Sequence, residues 1–387
     1  MCKLARQTYD AFYAQLIIQN RWYFTMANER VYNFSSGPSM LPLPALEKAA
    51  AEMTNFRGSG MSVMEMSHRS KLYLSIFDET KARLKKTLNI PDTHEILFMQ
   101  GGATFQFSAV PLNLMGEGGT ADYALTGNFS TVASKEAKKY GTVNIAATSE
   151  DRGHTYIPSQ SELRLTDGAS YLHYCANNTI YGTEWKYVPE TSGAPLVCDM
   201  SSNILSKAVD VSKYGIIYAG VQKNMGPAGM AVVIIDKTLA GRELPFTPKC
   251  MTYKTAIDKD SMDNTPPAYT IYMLGLVLEW LESQGGIDAI EKIKTEKAKL
   301  LYNFIDESKL FSGCAEAAAR SDMNVTFTTG SEELDALFVK EATANGLETL
   351  KGHRLVGKMR ASIYNAMPME GALALVSFMK EFENKNK

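Results

Sequence analysis

Lys223 lies inside the stretch IIYAGVQKNMGPAGMAVVII, Ile216 to Ile235, between two apolar runs of β type. A lysine amine has a reference pKa near 10.4 and is protonated and unreactive at neutral pH. Burial and neighbouring positive charge lower that value and leave an amine able to condense with an aldehyde. Strands also end in exposed lysines, so Lys223 by itself leaves both readings open.

Asp199 closes the apolar run APLVCDM, 24 residues before Lys223, and so stands at the carboxyl end of a different strand. In open α/β sheets that edge is where ligands bind. An aspartate there can also cap the next helix, a duty Ser201 and Ser202 could share. A lysine for an aldehyde and a carboxylate for a protonated ring nitrogen are the pair that pyridoxal 5'-phosphate requires. A phosphate site is legible as well. In FMQGGATFQFSAVPLN, Gly101 and Gly102 fall between a strand and a helix, where backbone N–H groups can close on an anion. The order strand, glycines, helix, Asp199, Lys223 says more than any one member. Neither GxxxxGK[ST] nor a strand-linked GxGxxG occurs, which argues against nucleotide binding of those kinds.

The chain has 387 residues, enough for two packed domains or one large domain with an appendage. Apolar residues make up 45% and charged residues 21%, the mix of a soluble globular protein. Lys+Arg total 40 against Asp+Glu 42, a formal net charge of -2, so no general field favours nucleic acid or an anionic membrane. No run of about 18 uncharged apolar residues occurs, and no membrane span is expected. Five cysteines (Cys2, Cys175, Cys198, Cys250, Cys314) are scattered without CxxC spacing, which points to a reducing, cytoplasmic setting without disulfides. Cys175 and Cys198 sit in apolar runs and read as small buried hydrophobes. The five histidines form no HxxxH or HxH pair, so no metal site is expected. Residues 1–25 read as an extension outside the fold, because the polar ANERVYNFSSGP after Met26 looks like a second beginning. A short surface helix is the alternative for that segment.

From about residue 95 to 235 short β-type runs alternate with helical stretches such as Thr104 to Leu114 and Ser130 to Tyr140. That alternation predicts an α/β fold with a mostly parallel central sheet covered on both faces. PLPALEKAAAEMTNF and KLYLSIFDETKARLKKTL read as amphipathic helices before it. A long apolar helix ends at Gly285-Gly286, and the remainder reads as a smaller α+β domain. The expected division is a large domain over 42–284 and a small one from 27–41 and 285–387.

FSSGPSMLP, SVMEMSHRS, ADYALTGNFS, HYCANNTIYG, YAGVQKNMGPAG, NTPPAYTIY and KGHRLVGKMRASIYNAM follow one another from about Val31 onward. Together they resemble the phosphoserine aminotransferase family, class-V aminotransferases of fold type I that use pyridoxal 5'-phosphate. The resemblance implies that Lys223 holds the cofactor covalently and that Asp199 pairs with its ring nitrogen. Ala103 and Thr104 would offer backbone donors to the phosphate, Gln222 would help hold it, and Thr179 would meet the ring hydroxyl. Asn264 and Thr265 match a pair that reaches the phosphate from the neighbouring subunit, which implies a homodimer with shared active sites. Where some family members stack a tryptophan on the ring, this sequence has Phe129, which offers less area and no N–H. Where some have GGGRGQ, this chain has GGATFQ, with Thr104 in place of the arginine.

A substrate with a carboxylate and a second acidic group calls for arginines, whose planar fork makes two parallel charge-assisted hydrogen bonds. An isolated arginine is usually a solvated surface charge. Arg360, however, begins the β-type run MRASIYN and should be half-buried. By resemblance Arg360 takes the α-carboxylate, and His68, Arg69, His353 and Arg354 receive the distal phosphate or carboxylate. The implied reaction is a ping-pong transfer between glutamate and 3-phosphohydroxypyruvate, giving O-phospho-L-serine and 2-oxoglutarate. It belongs to serine biosynthesis, with 4-phosphohydroxy-L-threonine in vitamin B6 synthesis as a further substrate. The competing readings are an alanine–glyoxylate-type aminotransferase, a cysteine desulfurase using Cys314, and a binding protein that kept the fold without the chemistry.

Overall fold

The computed structural model describes residues 30–386, so the expected extension over residues 1–25 lies outside the described residues. The elements below belong to one compact unit, Asn33–Lys387. Its centre is a seven-stranded sheet. In chain order the strands are β1 (His94–Gln100), β2 (Thr120–Leu125), β3 (Thr142–Thr148), β4 (Leu172–Cys175), β5 (Leu196–Asp199), β6 (Ile216–Gly220) and β7 (Met230–Asp236). Their spatial order is β1-β7-β6-β5-β4-β2-β3. β3, β2, β4, β5 and β6 run parallel, while β7 is antiparallel to both β6 and β1. The sheet is therefore mixed and mostly parallel, as expected. The odd strand has a local cause. Only the nine residues 221–229 separate β6 from β7, too few for the crossover that a parallel neighbour needs.

Both faces are apolar, because alternate residues of one strand face opposite layers. Ile96 and Phe98 of β1 join the cluster that contains Phe77, Leu84, Leu274 and Leu278. Leu97 and Met99 join the one that contains Phe107, Val110, Ala133 and Ala137. The first layer is formed by α1 (Leu43–Ala51), α2 (Lys71–Thr87) and, later in the chain, Ala268–Ser283. The second is formed by α3 (Gly102–Leu114) and α4 (Asn128–Ala137). α2 starts where the Ser70 hydroxyl accepts a hydrogen bond from the Tyr73 amide at 3.2 Å, and its last turn carries Lys85 and Lys86 against the helix dipole. α3 begins two residues earlier than its apolar pattern suggests, so Ala103 and Thr104 lie in its first turn. The helix expected over 130–140 occupies Asn128–Ala137.

Beyond α5 (Ala268–Ser283) and α6 (Gly286–Glu307) lies a second, three-stranded sheet. It comprises β8 (Ser312–Gly313), β9 (Asn324–Thr328) and β10 (Met359–Ser362), with α7 (Glu332–Ala344) and α8 (Met369–Lys385) beside it. Phe338 of α7 is fully buried, with ring centroids 5.3 Å from Phe311, 5.8 Å from Phe327 and 5.1 Å from both Phe378 and Phe382. Removing that ring leaves a void its neighbours cannot close. Phe338→Ala is expected to lower unfolding stability by about 3–5 kcal/mol, read from the denaturant midpoint. Among the described residues no helix is long and apolar enough to cross a membrane.

Candidate active site

The carboxyl ends of β4, β5 and β6 meet at one sheet edge, where Cys175 is the register partner of Asp199 and Asp199 that of Tyr218. Asp199 is buried, and its carboxylate accepts the Ser201 amide at 2.9 Å. Lys223 follows β6 by a single turn. Its ammonium donates to the Thr179 hydroxyl at 2.8 Å and stands 4.8 Å from the centre of the Phe129 ring. Lys223 is half-buried as a residue while its amine is enclosed. Desolvation pushes the amine pKa down, Asp199 pulls it partly back up, and the charge of Arg360 lowers it further. Lys223, which the sequence leaves open, is thus a desolvated amine that feels the charge of Asp199. Cys175, beside them, is a buried thiol whose pKa burial raises well above its usual range.

α3 supplies the anion-binding geometry. Gly101 has φ +90° and Gly102 φ +65°, and a Cβ at Gly101 would lie 2.3 Å from the Phe105 ring. Glycine is therefore needed where the chain turns from β1 into the helix. Among the described residues no side chain caps this end, so the first N–H groups, those of Ala103 and Thr104 among them, stay available to an anion. Gln222 precedes Lys223, and its carbonyl accepts the Ser39 amide at 3.1 Å. Asn264 and Thr265 are exposed, and the Thr265 carbonyl accepts from the side chain of Gln100, the residue that enters the glycine turn, at 2.7 Å. A separate cleft of about 220 Å³, lined by Gln100, Phe105, Lys249, Cys250 and Asn264 among others, does not include Lys223, Asp199 or Arg360.

Arg360 is buried on β10. One of its terminal nitrogens donates to the Thr179 carbonyl at 3.3 Å and the other to the Ser36 hydroxyl at 2.7 Å, while its Nε has no partner among the described residues. A buried guanidinium with an unused N–H, held beside Thr179 and Lys223, is poised for a carboxylate. His353 lies close enough for the charges of Arg360 and Arg354 to depress its pKa, although burial is the larger cause. His68 and Arg69 sit in the turn that enters α2, with His68 Nε2 buried and unpartnered among the described residues and Arg69 exposed. Among the described residues of one chain, neither bonds to Lys223 or Arg360. Lys223, Asp199, Thr179, Phe129 and Arg360 thus come together within one chain. His68, Arg69, Asn264 and Thr265 are not drawn into that cluster, and neither is Arg354, which is exposed.

An aminotransferase class-V profile matches residues 31–375. The chain is 53% identical over 359 residues to a phosphoserine aminotransferase of Bacillus cereus, which covers 93% of this chain and 100% of that protein. It is 50% identical to one from Janthinobacterium sp., covering 92% and 99%. The chain belongs to the class-V aminotransferase family, among the phosphoserine aminotransferases. Its fold matches the phosphoserine aminotransferase of Bacillus circulans subsp. alkalophilus with a TM-score of 0.91 and 44% identity, covering 93% of this chain and 100% of that one. A PLP-bound phosphoserine aminotransferase from Trichomonas vaginalis matches with a TM-score of 0.86 and 42% identity, covering 91% and 100%.

Motifs alone do not single out the segment Ser36–Ser39 of this class-V aminotransferase. Ser36 holds Arg360, the Ser39 hydroxyl donates to the Lys223 carbonyl, and a Cβ on Gly37 would lie 3.1 Å from Lys223 Cγ. The phrase FSSGPSMLP contributed to the resemblance, but nothing in its residue types says that it folds back on a lysine nearly two hundred positions later. The same holds for Asn224, which accepts the Asn365 amide at 3.0 Å and donates to the Ile204 carbonyl at 2.5 Å.

Proposed function

We propose that this chain is a pyridoxal-phosphate-dependent phosphoserine aminotransferase. It moves the amino group of glutamate to 3-phosphohydroxypyruvate, giving O-phospho-L-serine and 2-oxoglutarate. The observation that carries this reading is a desolvated Lys223 amine that shares Thr179 with Arg360 and feels the charges of Asp199 and Arg360, at the sheet edge where the uncapped helix α3 also begins.

These residues fit the cofactor. The bare α3 N-terminus suits its phosphate, Phe129 offers a ring face, Thr179 a hydroxyl, and Asp199 a buried anion for a protonated ring nitrogen. Gln222, Ala103 and Thr104 serve the phosphate, joined by Asn264 and Thr265 of a second copy in a cytoplasmic homodimer. When bound, the cofactor supplies an aldehyde that takes up the amino group and a ring that withdraws electrons from the substrate's α-carbon. Lys223 would take the proton from that carbon and hold it for return, a role that a pKa lowered by desolvation favours. Asp199 would hold the positive charge of a protonated ring nitrogen in place. Arg360 binds the α-carboxylate and so sets which α-substituent faces the amine. His68, Arg69, His353 and Arg354 receive the distal phosphate or γ-carboxylate, and several separate cations suit two differently shaped anions better than one tight cage. The expected division into a large domain over 42–284 and a small one from 27–41 and 285–387 is part of this proposal.

Burial raises the Cys314 thiol pKa, the opposite of what a desulfurase nucleophile needs. A spectral titration tests cofactor, lysine and substrate class together. Protein loaded with the cofactor should absorb near the visible edge and change on adding glutamate or phosphoserine, and borohydride should fix the signal at Lys223. A colourless protein that cannot be loaded would end this reading. Arg360→Ala is expected to raise KM for both glutamate and phosphoserine by about 10–100-fold, the loss of a charged hydrogen-bonded contact. Steady-state kinetics with each substrate checks it, and unchanged KM values would move the carboxylate site elsewhere.

A further inference from the structure

Lys297, in the middle of α6, is fully buried. Its amine donates to the carbonyls of Tyr364 at 2.8 Å and Met367 at 2.7 Å, the turn that follows β10. Among the described residues no carboxylate pairs with it. The neighbouring Lys294 pairs with Asp322 at 3.2 Å instead. A desolvated lysine placed against two carbonyls is a costly way to close a turn, which raises the question of what that turn supports.

It supports the reactive edge in two directions. The Tyr364 hydroxyl donates to the Ser36 carbonyl at 2.8 Å, and the Ser36 hydroxyl takes the Arg360 hydrogen bond. The Asn365 amide donates to Asn224, the residue after Lys223, and the Asn365 side chain donates to the Leu205 carbonyl at 2.8 Å. Leu205 belongs to the loop that follows Asp199 and has φ +62°, a conformation a leucine keeps only when its surroundings impose it. The segments after Asp199, Lys223 and Arg360 therefore meet at one turn, and the Lys297 amine grips that turn from behind.

We propose that Lys297 is a positioning residue for substrate binding: its buried amine fixes the Tyr364–Met367 turn, and through Tyr364 and Ser36 it fixes the angle at which Arg360 meets a carboxylate. The inference rests on the function proposed above. Lys297 touches neither substrate nor cofactor.

The test measures equilibrium binding of glutarate, a dicarboxylate with no amine to transfer, to the cofactor-loaded dimer by calorimetry. Tyr364→Phe removes one hydroxyl from an otherwise intact fold and is expected to weaken glutarate about 5–10-fold, the effect of one buried hydrogen bond. Lys297→Met is expected to weaken it about 10–100-fold. The double variant should bind no worse than Lys297→Met alone, because both changes cut one chain of contacts. The absorbance of the bound cofactor should persist in all three. Glutarate binding by Tyr364→Phe within twofold of the parent overturns the proposal, even if Lys297→Met does not fold. Losses that multiply in the double variant overturn it too. A parent protein that takes up neither cofactor nor glutarate would instead remove the function proposed above.

Discussion

Replacing Lys223 with alanine should abolish amino transfer while leaving a protein at least as stable as its parent. The amine is desolvated, and its folded-state pKa is pushed below the ordinary lysine value chiefly by burial. Its presence therefore costs folding free energy, and truncation relieves that cost while opening a small void. Function moves the other way. No other amine among the described residues bonds to Thr179 or lies over Phe129, so nothing can replace the proton carrier. A positioned acid–base group is worth about 10²–10⁴-fold, and kcat should fall to the upper end of that range. Phosphoserine formation and thermal unfolding measured on the same preparation check both halves. A variant within tenfold of the parent rate would mean that Lys223 only fills space.

Asp199→Asn should separate a catalytic carboxylate from a loop cap. The amide oxygen of asparagine can still accept the Ser201 N–H, so a merely structural aspartate would tolerate the change. A carboxylate needed for its charge would not, and kcat should drop by about 10²–10³-fold, the usual size of one removed electrostatic contact. The pH dependence supplies a sign. Asp199 raises the Lys223 pKa against desolvation, so its neutralisation lets that pKa fall further. The limb of the rate profile that reports the amine should therefore move to lower pH. An unchanged limb with an unchanged rate would assign Asp199 to the cap alone.

The layered fold was legible because its strands are short apolar runs buried on both sides. MAVVIID and EILFMQ need no partner to be recognised as strands. Helix entries were less sharp. Gly101 and Gly102 mark the turn, but the backbone φ that lets α3 begin at once is not written in the apolar pattern. The direction of β7 was readable only from the shortness of the turn that carries Lys223. Lys223 and Asp199 were visible as charges set into apolar sequence, and Arg360 as a cation opening a strand. Ser36, Asn224, Asn365 and Lys297 were not visible. Their importance arises from pairings across most of the chain, such as Ser36 with Arg360, and a lysine in a charged-looking helix is ordinarily solvated. Lys297 occupies the buried face of α6, and the segment KIKTEKAKLL does not by itself separate it from Lys292 or Lys299.

The placement of β7 has a consequence for how the protein is made. β7 lies between β1 and β6, so the glycine turn and the lysine come to one edge only after Met230–Asp236 has left the ribosome. Arg360 and its anchor Ser36 are 324 positions apart, which delays the last contact until synthesis is almost finished. Until β7 emerges, β1 has no partner strand, and its backbone donors and acceptors are open to mispairing.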